Sequence, residues 1–260
     1  MDIYENTLKD FPKLVSGVEK GHQSLLIVAE KLAEYNKVGA SKKLGMIHII
    51  YSDIVETIEC ATILCMRGHY ECVAKLLRSC FEATYLILKF NSYPEESFNV
   101  DNQILDIFNQ NKNYGVIEKT YEGMKSPEKE KFEYNLWLDS NNELNSHKVR
   151  LVGRIFSSTK LIREFTKFDI PEKYREAYHK LSKFVHPRFY GIMSRLQLGE
   201  GKVKFRGVYK ADFAEAVLKD IIKAVVLCTV PLKDYMEGLD FTQEEIQLAK
   251  EIDEIYEKFV

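Results

Sequence analysis

From Lys43 to Phe90 the chain runs without a proline, and its apolar residues recur at helical spacing with Gly68 as the main interruption. Such a stretch leaves little choice of fold. It reads as two helices, 43–66 and 69–90, and apolar residues cover most of the circumference of the second, which therefore belongs at the centre of a bundle. Asn91-Ser92-Tyr93-Pro94 ends it, because the residue before a proline avoids helical dihedrals. Leu76, Leu77, Phe81, Leu86 and Leu88 are the expected buried residues of this central helix.

The rest of the chain continues the pattern. Its 13 Gly and 6 Pro in 260 residues fall well short of the roughly 12% that average usage would supply, so a sandwich of short strands is excluded. A first helix is expected over 13–37, with Leu14, Val18, Leu25, Ala29 and Leu32 on one stripe. Further helices are expected over 95–112, from Ser126-Pro127-Glu128 to about 139, and over 147–168, 172–188, 210–236 and 241–258. Thr242 followed by Glu245 is a capping box for the last of these. Only 191–209 breaks the rhythm. Gly191, Gly199, Gly201 and Gly207 punctuate it, and Lys202-Val203-Lys204-Phe205-Arg206 alternates like a short strand. The expectation is an all-α, single-domain bundle of seven to nine helices over 1–260, with an irregular or β-hairpin segment near 195–208 acting as a flexible hairpin or lid.

Charge and cysteines narrow the setting. A formal charge of −2 draws the chain to neither nucleic acid nor anionic lipid in bulk. The N-terminus, Met1-Asp2-Ile3-Tyr4-Glu5, has no apolar core of a secretory signal. The most apolar run, Ile221 to Leu232, holds Lys223 and Pro231 and falls short of the ~20 residues a membrane helix needs. Cys60, Cys65, Cys72, Cys80 and Cys228 are odd in number and lack any Cys-x-x-Cys, which fits reduced thiols in a cytoplasmic protein. No membrane partner is expected.

Two polar stripes are the candidate chemistry. Glu71, Lys75, Arg78 and Glu82 fall at i, i+4, i+7 and i+11 of the helix 69–90, and Arg67 and Lys89 extend the line. Arg175, His179, Ser182 and His186 repeat that spacing on the helix 172–188, with Tyr174, Tyr178, Leu181 and Val185 on the adjacent apolar line. Each stripe reads either as a solvated face with intrahelical pairs or as half of an enclosed site. His186 stands directly before Pro187, where it either caps carbonyls or works as an acid or base. If the stripes face each other, Glu71, Arg78, Glu82, Ser182 and His186 form one polar cluster, with Arg175 and His179 beside it as further ligand-binding candidates.

Arg67-Gly68-His69-Tyr70-Glu71, Arg78-Ser79-x-x-Glu82 and Ser182-x-x-x-His186-Pro187 together resemble a family of uncharacterised prokaryotic all-helical proteins and, more distantly, the HEPN superfamily (higher eukaryotes and prokaryotes nucleotide-binding domain). The resemblance covers about residues 45–235. It implies a homodimer and either a binding protein for a nucleotide or RNA or a metal-independent endoribonuclease. In the nuclease reading His186 is the general acid or base, and Arg78 or Lys180 holds the scissile phosphate, with Ser182 and Glu82 alongside. HEPN nucleases carry arginine and then a polar residue where this chain has Lys180 and Leu181, so His186 is what carries over. A guanidinium grips phosphate through a planar fork that lysine lacks. A non-catalytic binding or regulatory protein with an internal polar pocket for a nucleotide, RNA or partner is therefore the primary expectation.

A di-iron carboxylate protein is a minor alternative. Glu19-x-x-His22 and Glu176-x-x-His179 have the right spacing, and Glu56, Glu59 or Glu82 would have to complete the set. Gly21 in mid-helix weakens the first motif. Phosphate-loop, dinucleotide-binding, zincin and hydrolase-elbow motifs are all absent, so neither a cofactor nor a metal is expected. The basic segment holding Arg195, Lys202, Lys204, Arg206 and Lys210 is either a solvated loop or a phosphate contact.

Overall fold

A computed structural model describes residues 2–39, 41–110, 114–142, 152, 155–156, 172–185, 197–199, 202–204 and 209–259. It is all-α. The helices are α1 (Ile3–Asp10), α2 (Pro12–Gly39), α3 (Lys42–Met66), α4 (Tyr70–Asn91), α5 (Asn102–Gln110), α6 (Tyr114–Gly123), α7 (Glu128–Asn142), α8 (Glu172–Val185), α9 (Ala211–Thr229), α10 (Lys233–Met236) and α11 (Gln243–Phe259). Gln197–Gly199 and Lys202–Lys204 form β1 and β2, an antiparallel pair with Leu198 opposite Val203, inside the segment where a hairpin was expected. The helix expected over 147–168 lies outside the described residues apart from Val152, Ile155 and Phe156.

Ten described helices are eight residues or longer, against the expected seven to nine. The additions are α1 and α6, of 8 and 10 residues, both too short for a sustained apolar stripe. Asp2 starts α1 by accepting the Tyr4 amide at 2.9 Å. Two expected helices are shorter than their patterns. Glu95–Phe98 is a 3-10 turn, and α5 begins only at Asn102, where the Asp101 carboxylate accepts the Gln103 amide at 3.0 Å. Pro231 cannot donate a backbone hydrogen bond, so α9 stops at Thr229 instead of running to 236. The capping box of α11 forms as expected: Thr242 N donates to Glu245 Oε2 at 2.7 Å and Glu245 N to Thr242 Oγ1 at 3.2 Å.

The chain divides into two compact units. The first draws on Met1–Val38, His48–Thr84 and Pro171–Val260. Its core is built from Leu14, Val18, Leu25 and Leu32 of α2, Tyr51, Ile54 and Ile58 of α3, Val73, Leu77 and Phe81 of α4, and Leu218, Ile221, Ile222 and Val225 of α9. Helix α2 approaches its neighbours closely through glycine. A Cβ on Gly17 would lie 2.9 Å from Ile255 Cγ2, and one on Gly21 would lie 3.0 Å from Val225 Cγ2. Gly21, a weak point in a metal-binding reading, is thus a packing residue.

Helix α3 ends in a Schellman turn. Gly68 adopts φ 75°, Gly68 N donates to Cys65 O and His69 N to Leu64 O, each at 2.9 Å. The sequence break at Gly68 is therefore the left-handed residue that closes α3 before α4 begins. In this unit Leu77 and Phe81 of α4 are buried as expected. Leu76 is only partly covered; Val73, Ala74 and Cys80 take the enclosed positions instead.

The second unit draws on Gly39–Ile47 and Tyr85–Ile170. Ile117, Tyr121, Phe132, Leu136 and Ile155 form its core, with Ile104, Leu105 and Phe156 against it. Phe90 lies edge-on to Phe98 and Trp137, with ring centroids 5.7 Å apart in each pair. Leu86 and Leu88 are partly covered, while Tyr85, Ile87 and Phe90 are enclosed. At the N-terminus of α3 the Glu95 carboxylate accepts the Lys42 amide at 2.8 Å, a favourable place for a negative charge.

Candidate functional site

The polar line of α4 pairs within the helix. Lys75 Nζ lies 2.8 Å from Glu71 Oε1, and Arg78 Nε donates to Glu82 Oε1 at 2.9 Å. Lys89, which the spacing puts on the same line, behaves differently. It is buried in the second unit, 2.7 Å from the equally buried Glu133. The hydroxyls of Tyr93 and Tyr121 also donate to Glu133. Burial and the Glu133 charge push the Tyr93 hydroxyl well above its ordinary value. This cluster satisfies its own charges inside an aromatic core.

In the first unit α8 meets α4 at the Arg78–Glu82 pair. Tyr178 Oη donates to Glu82 Oε1 at 3.1 Å, and the Arg78 guanidinium carbon lies 5.2 Å from the centroid of the Tyr178 ring. The Arg78 side chain keeps 21% of its exposure and Glu82 39%, so the pair is half-buried. Tyr178, assigned to the apolar line by its spacing, supplies the polar contact from α8. Arg175 is partly covered, and His179 is exposed beside the Tyr178 ring. The side chain of Ser182, and His186 altogether, lie outside the described residues.

Lys180 points to a different partner. Its Nζ lies 2.7 Å from Asp220 Oδ1 of α9. Burial raises the Asp220 carboxyl above its ordinary 3.8, and the charge of Lys180 opposes that rise. The ion pair stands on the wall of a cavity of about 240 Å³ between α4, α8 and α9, lined otherwise by Tyr70, Leu77, Leu181 and Phe213. The rings of Tyr70 and Phe213 stack with centroids 6.2 Å apart and planes 20° apart. Burial pushes the Tyr70 hydroxyl up to about 12. An adjoining cleft of about 300 Å³ shares Lys180, Asp212 and Asp220 and adds Glu215, Lys219 and Lys223. Sequence spacing could not find α9's contribution, because Asp220 looks like any surface carboxylate until α8 packs on it.

Among the described residues no group of three or more His, Cys, Asp or Glu is arranged to hold a metal ion. Glu19, Glu56, Glu59, Glu82, His22 and His179 are therefore not gathered into a carboxylate–histidine set. No described helix is long and apolar enough to cross a membrane, and all five cysteines are free thiols.

The fold and these clefts define a class: an all-α protein whose polar groups converge where three helices meet. A model described as a family of unknown function (DUF5677) matches residues 45–203, well over half of the chain, and the protein belongs to that family. The match includes Arg67, Arg78, Glu82, Tyr178 and Lys180, and it ends before α9 and Asp220. No curated protein and no solved structure matches the chain.

Proposed function

We propose that the protein is a binding or regulatory protein and that its ligand is a nucleotide, held where α4, α8 and α9 meet. One observation carries the reading: the aromatic-walled cavity of Tyr70 and Phe213 shares Lys180, Asp212 and Asp220 with a cleft lined by Lys219 and Lys223. A flat base suits the apolar cavity, where an aromatic face offers stacking. Lysines suit a phosphate, and carboxylates accept hydrogen bonds from sugar hydroxyls or base amino groups. Lys180 and Lys219 already pair with Asp220 and Glu215 at 2.7 and 2.8 Å. Lys223 makes no direct ion pair among the described residues; its charge acts on Asp220 only at longer range, which leaves it the cleft lysine least committed to a carboxylate.

Calorimetric titration of the full chain with AMP, ATP and a short RNA tests this. Binding of a mononucleotide that weakens about tenfold or more in both Phe213→Ala and Lys223→Ala supports the reading. Heat from RNA alone, or from neither class, overturns it.

The HEPN resemblance keeps a nuclease in view, with His186 as acid or base. Lys180 stands where those enzymes carry arginine, and its pairing with Asp220 draws it away from the role of gripping a scissile phosphate. Incubation with mixed RNA in excess chelator separates the two: cleavage that survives chelation and is lost in His186→Ala establishes the enzyme and overturns the non-catalytic reading. Two corollaries accompany the proposal, a cytoplasmic location and a homodimer, the latter from the resemblance. Light scattering on the purified chain checks the dimer.

A further inference from the structure

A second cleft, of about 670 Å³, opens in the first unit between α1, α2, α3 and α9. Its volume lies within the roughly 300–1,000 Å³ of small-molecule sites. The walls are apolar: Ile3, Val15, Val18, Ile63, Met66 and Leu218. Three charged residues line it as well, Asp2, Glu19 and Arg67. Asp2 caps α1 by accepting the Tyr4 amide and keeps its negative charge, so two carboxylates and one guanidinium line the cleft. Glu19 and Arg67 are both exposed and form no ion pair with each other or with any other described residue, so water solvates them and each is open to a ligand of opposite charge.

The position of Arg67 is fixed by the backbone. It is the last residue before the left-handed Gly68 of the Schellman turn, which sets its Cα at the C-terminal end of α3, and its exposed side chain lines the cleft. Glu19 comes from α2, a different element. A carboxylate ligand would satisfy Arg67 through a two-pronged charge-assisted bond but would face Glu19 unmatched. An ammonium ligand would satisfy Glu19 and face Arg67. Only a ligand carrying both charges complements the pair, and the apolar walls between them call for an apolar body.

We propose that this cleft binds an amphipathic zwitterion with a free ammonium, a free carboxylate and a branched or aromatic apolar body, the chemistry of an apolar amino acid or a short apolar peptide. Arg67 receives the carboxylate, Glu19 the ammonium, and Ile63 and Met66 cover the apolar part. The site is separate from the one proposed for a nucleotide and stands or falls independently of it.

Titration of the full chain with leucine, dileucine and trileucine tests the class and selects the length. The best-binding member is then compared with its N-acetylated and C-amidated forms. Each block is expected to weaken binding about tenfold or more. In Arg67→Gln the penalty for amidation disappears while that for acetylation remains, and Glu19→Gln gives the reverse. Ile63→Trp, at an exposed position, abolishes binding with an unchanged melting temperature. No binding of any of the three lengths up to about 10 mM, or equal binding of blocked and free forms, overturns the proposal.

Discussion

Tyr178 of α8 donates its hydroxyl to the same Glu82 oxygen of α4 that receives Arg78 Nε, at 3.1 and 2.9 Å respectively. With the guanidinium set over the Tyr178 ring, the three side chains close a cycle in which each touches the other two. Two helices that are 80 or more residues apart in sequence are thereby tied by one carboxylate oxygen. Because Glu82 keeps substantial contact with water, removing Arg78 does not strand a fully buried charge.

Arg78→Ala is accordingly expected to cost about 1 kcal/mol, combining a half-exposed cation–π contact with one intrahelical pair. That is well below the 3–5 kcal/mol typical of a broken buried pair. Tyr178→Phe should cost about 0.5–1 kcal/mol. The double variant should lose less than the sum, since the residues share partners. Urea unfolding of the four chains provides the numbers.

The Lys89–Glu133 pair sets the contrast. Side-chain exposure there is 9% and 7%, so Lys89→Met leaves a buried carboxylate and should destabilise the protein by about 3–5 kcal/mol. Glu133→Gln should be milder than Glu133→Leu, because the amide still accepts hydrogen bonds from Tyr93 and Tyr121. The order of the two urea midpoints checks this directly.

Asp220 gives a signed pH dependence. Burial raises its carboxyl in the folded chain above the ordinary 3.8, so the folded state binds its proton more tightly than the unfolded state does. The resulting stabilisation is complete below 3.8 and is lost as pH rises through the folded value. Asp220→Asn removes that titration. Plotted against pH from acid upward, the stability of the native chain minus that of Asp220→Asn should therefore fall and then level off. A difference that rises with pH would refute the assignment.

Glycine in a helix is usually a weakness, and replacing it with alanine gains roughly 0.5–1 kcal/mol. Gly17 and Gly21 should break that rule. Their added methyl groups meet Ile255 and Val225 at 2.9 and 3.0 Å, and overpacking costs about 1–3 kcal/mol. Gly123, the last residue of α6, with nothing within 4 Å of an added Cβ, should accept alanine with a change of less than about 0.5 kcal/mol. Thermal unfolding of the three single variants makes the comparison.

How much of this was written in the sequence depends on which interactions are local. The long helices α2, α3, α4 and α11, the Gly68 break, the Thr242 box and the hairpin were legible because each depends on residues a few positions apart, whereas α1 and α6 were not. The intrahelical pairs Glu71–Lys75 and Arg78–Glu82 follow from the same i, i+4 geometry. What escaped was non-local. Lys89 fits the polar line of α4 by spacing, yet its partner Glu133 lies on α7 and encloses it. Asp220 and Phe213 of α9 complete a cavity with α4 and α8, and no period in any one helix announces that meeting. Tyr178 is buried on the apolar line as its spacing implies, and what spacing could not show is that its hydroxyl reaches across to Glu82.

The Schellman turn at Gly68 has a mechanical consequence. Arg67 on one side of it lines the larger apolar cleft, and Tyr70, two residues beyond it, lines the aromatic cavity. The backbone between them holds its φ of 75°, a conformation that costs other residues about 1–2 kcal/mol. The turn therefore sets where the end of α3 and the start of α4 leave it, and so fixes the spacing between a side chain of one cleft and a side chain of the other. Arg67 and Tyr70 can each be changed to tune one cleft alone, whereas a side chain at position 68 re-aims both at a stroke.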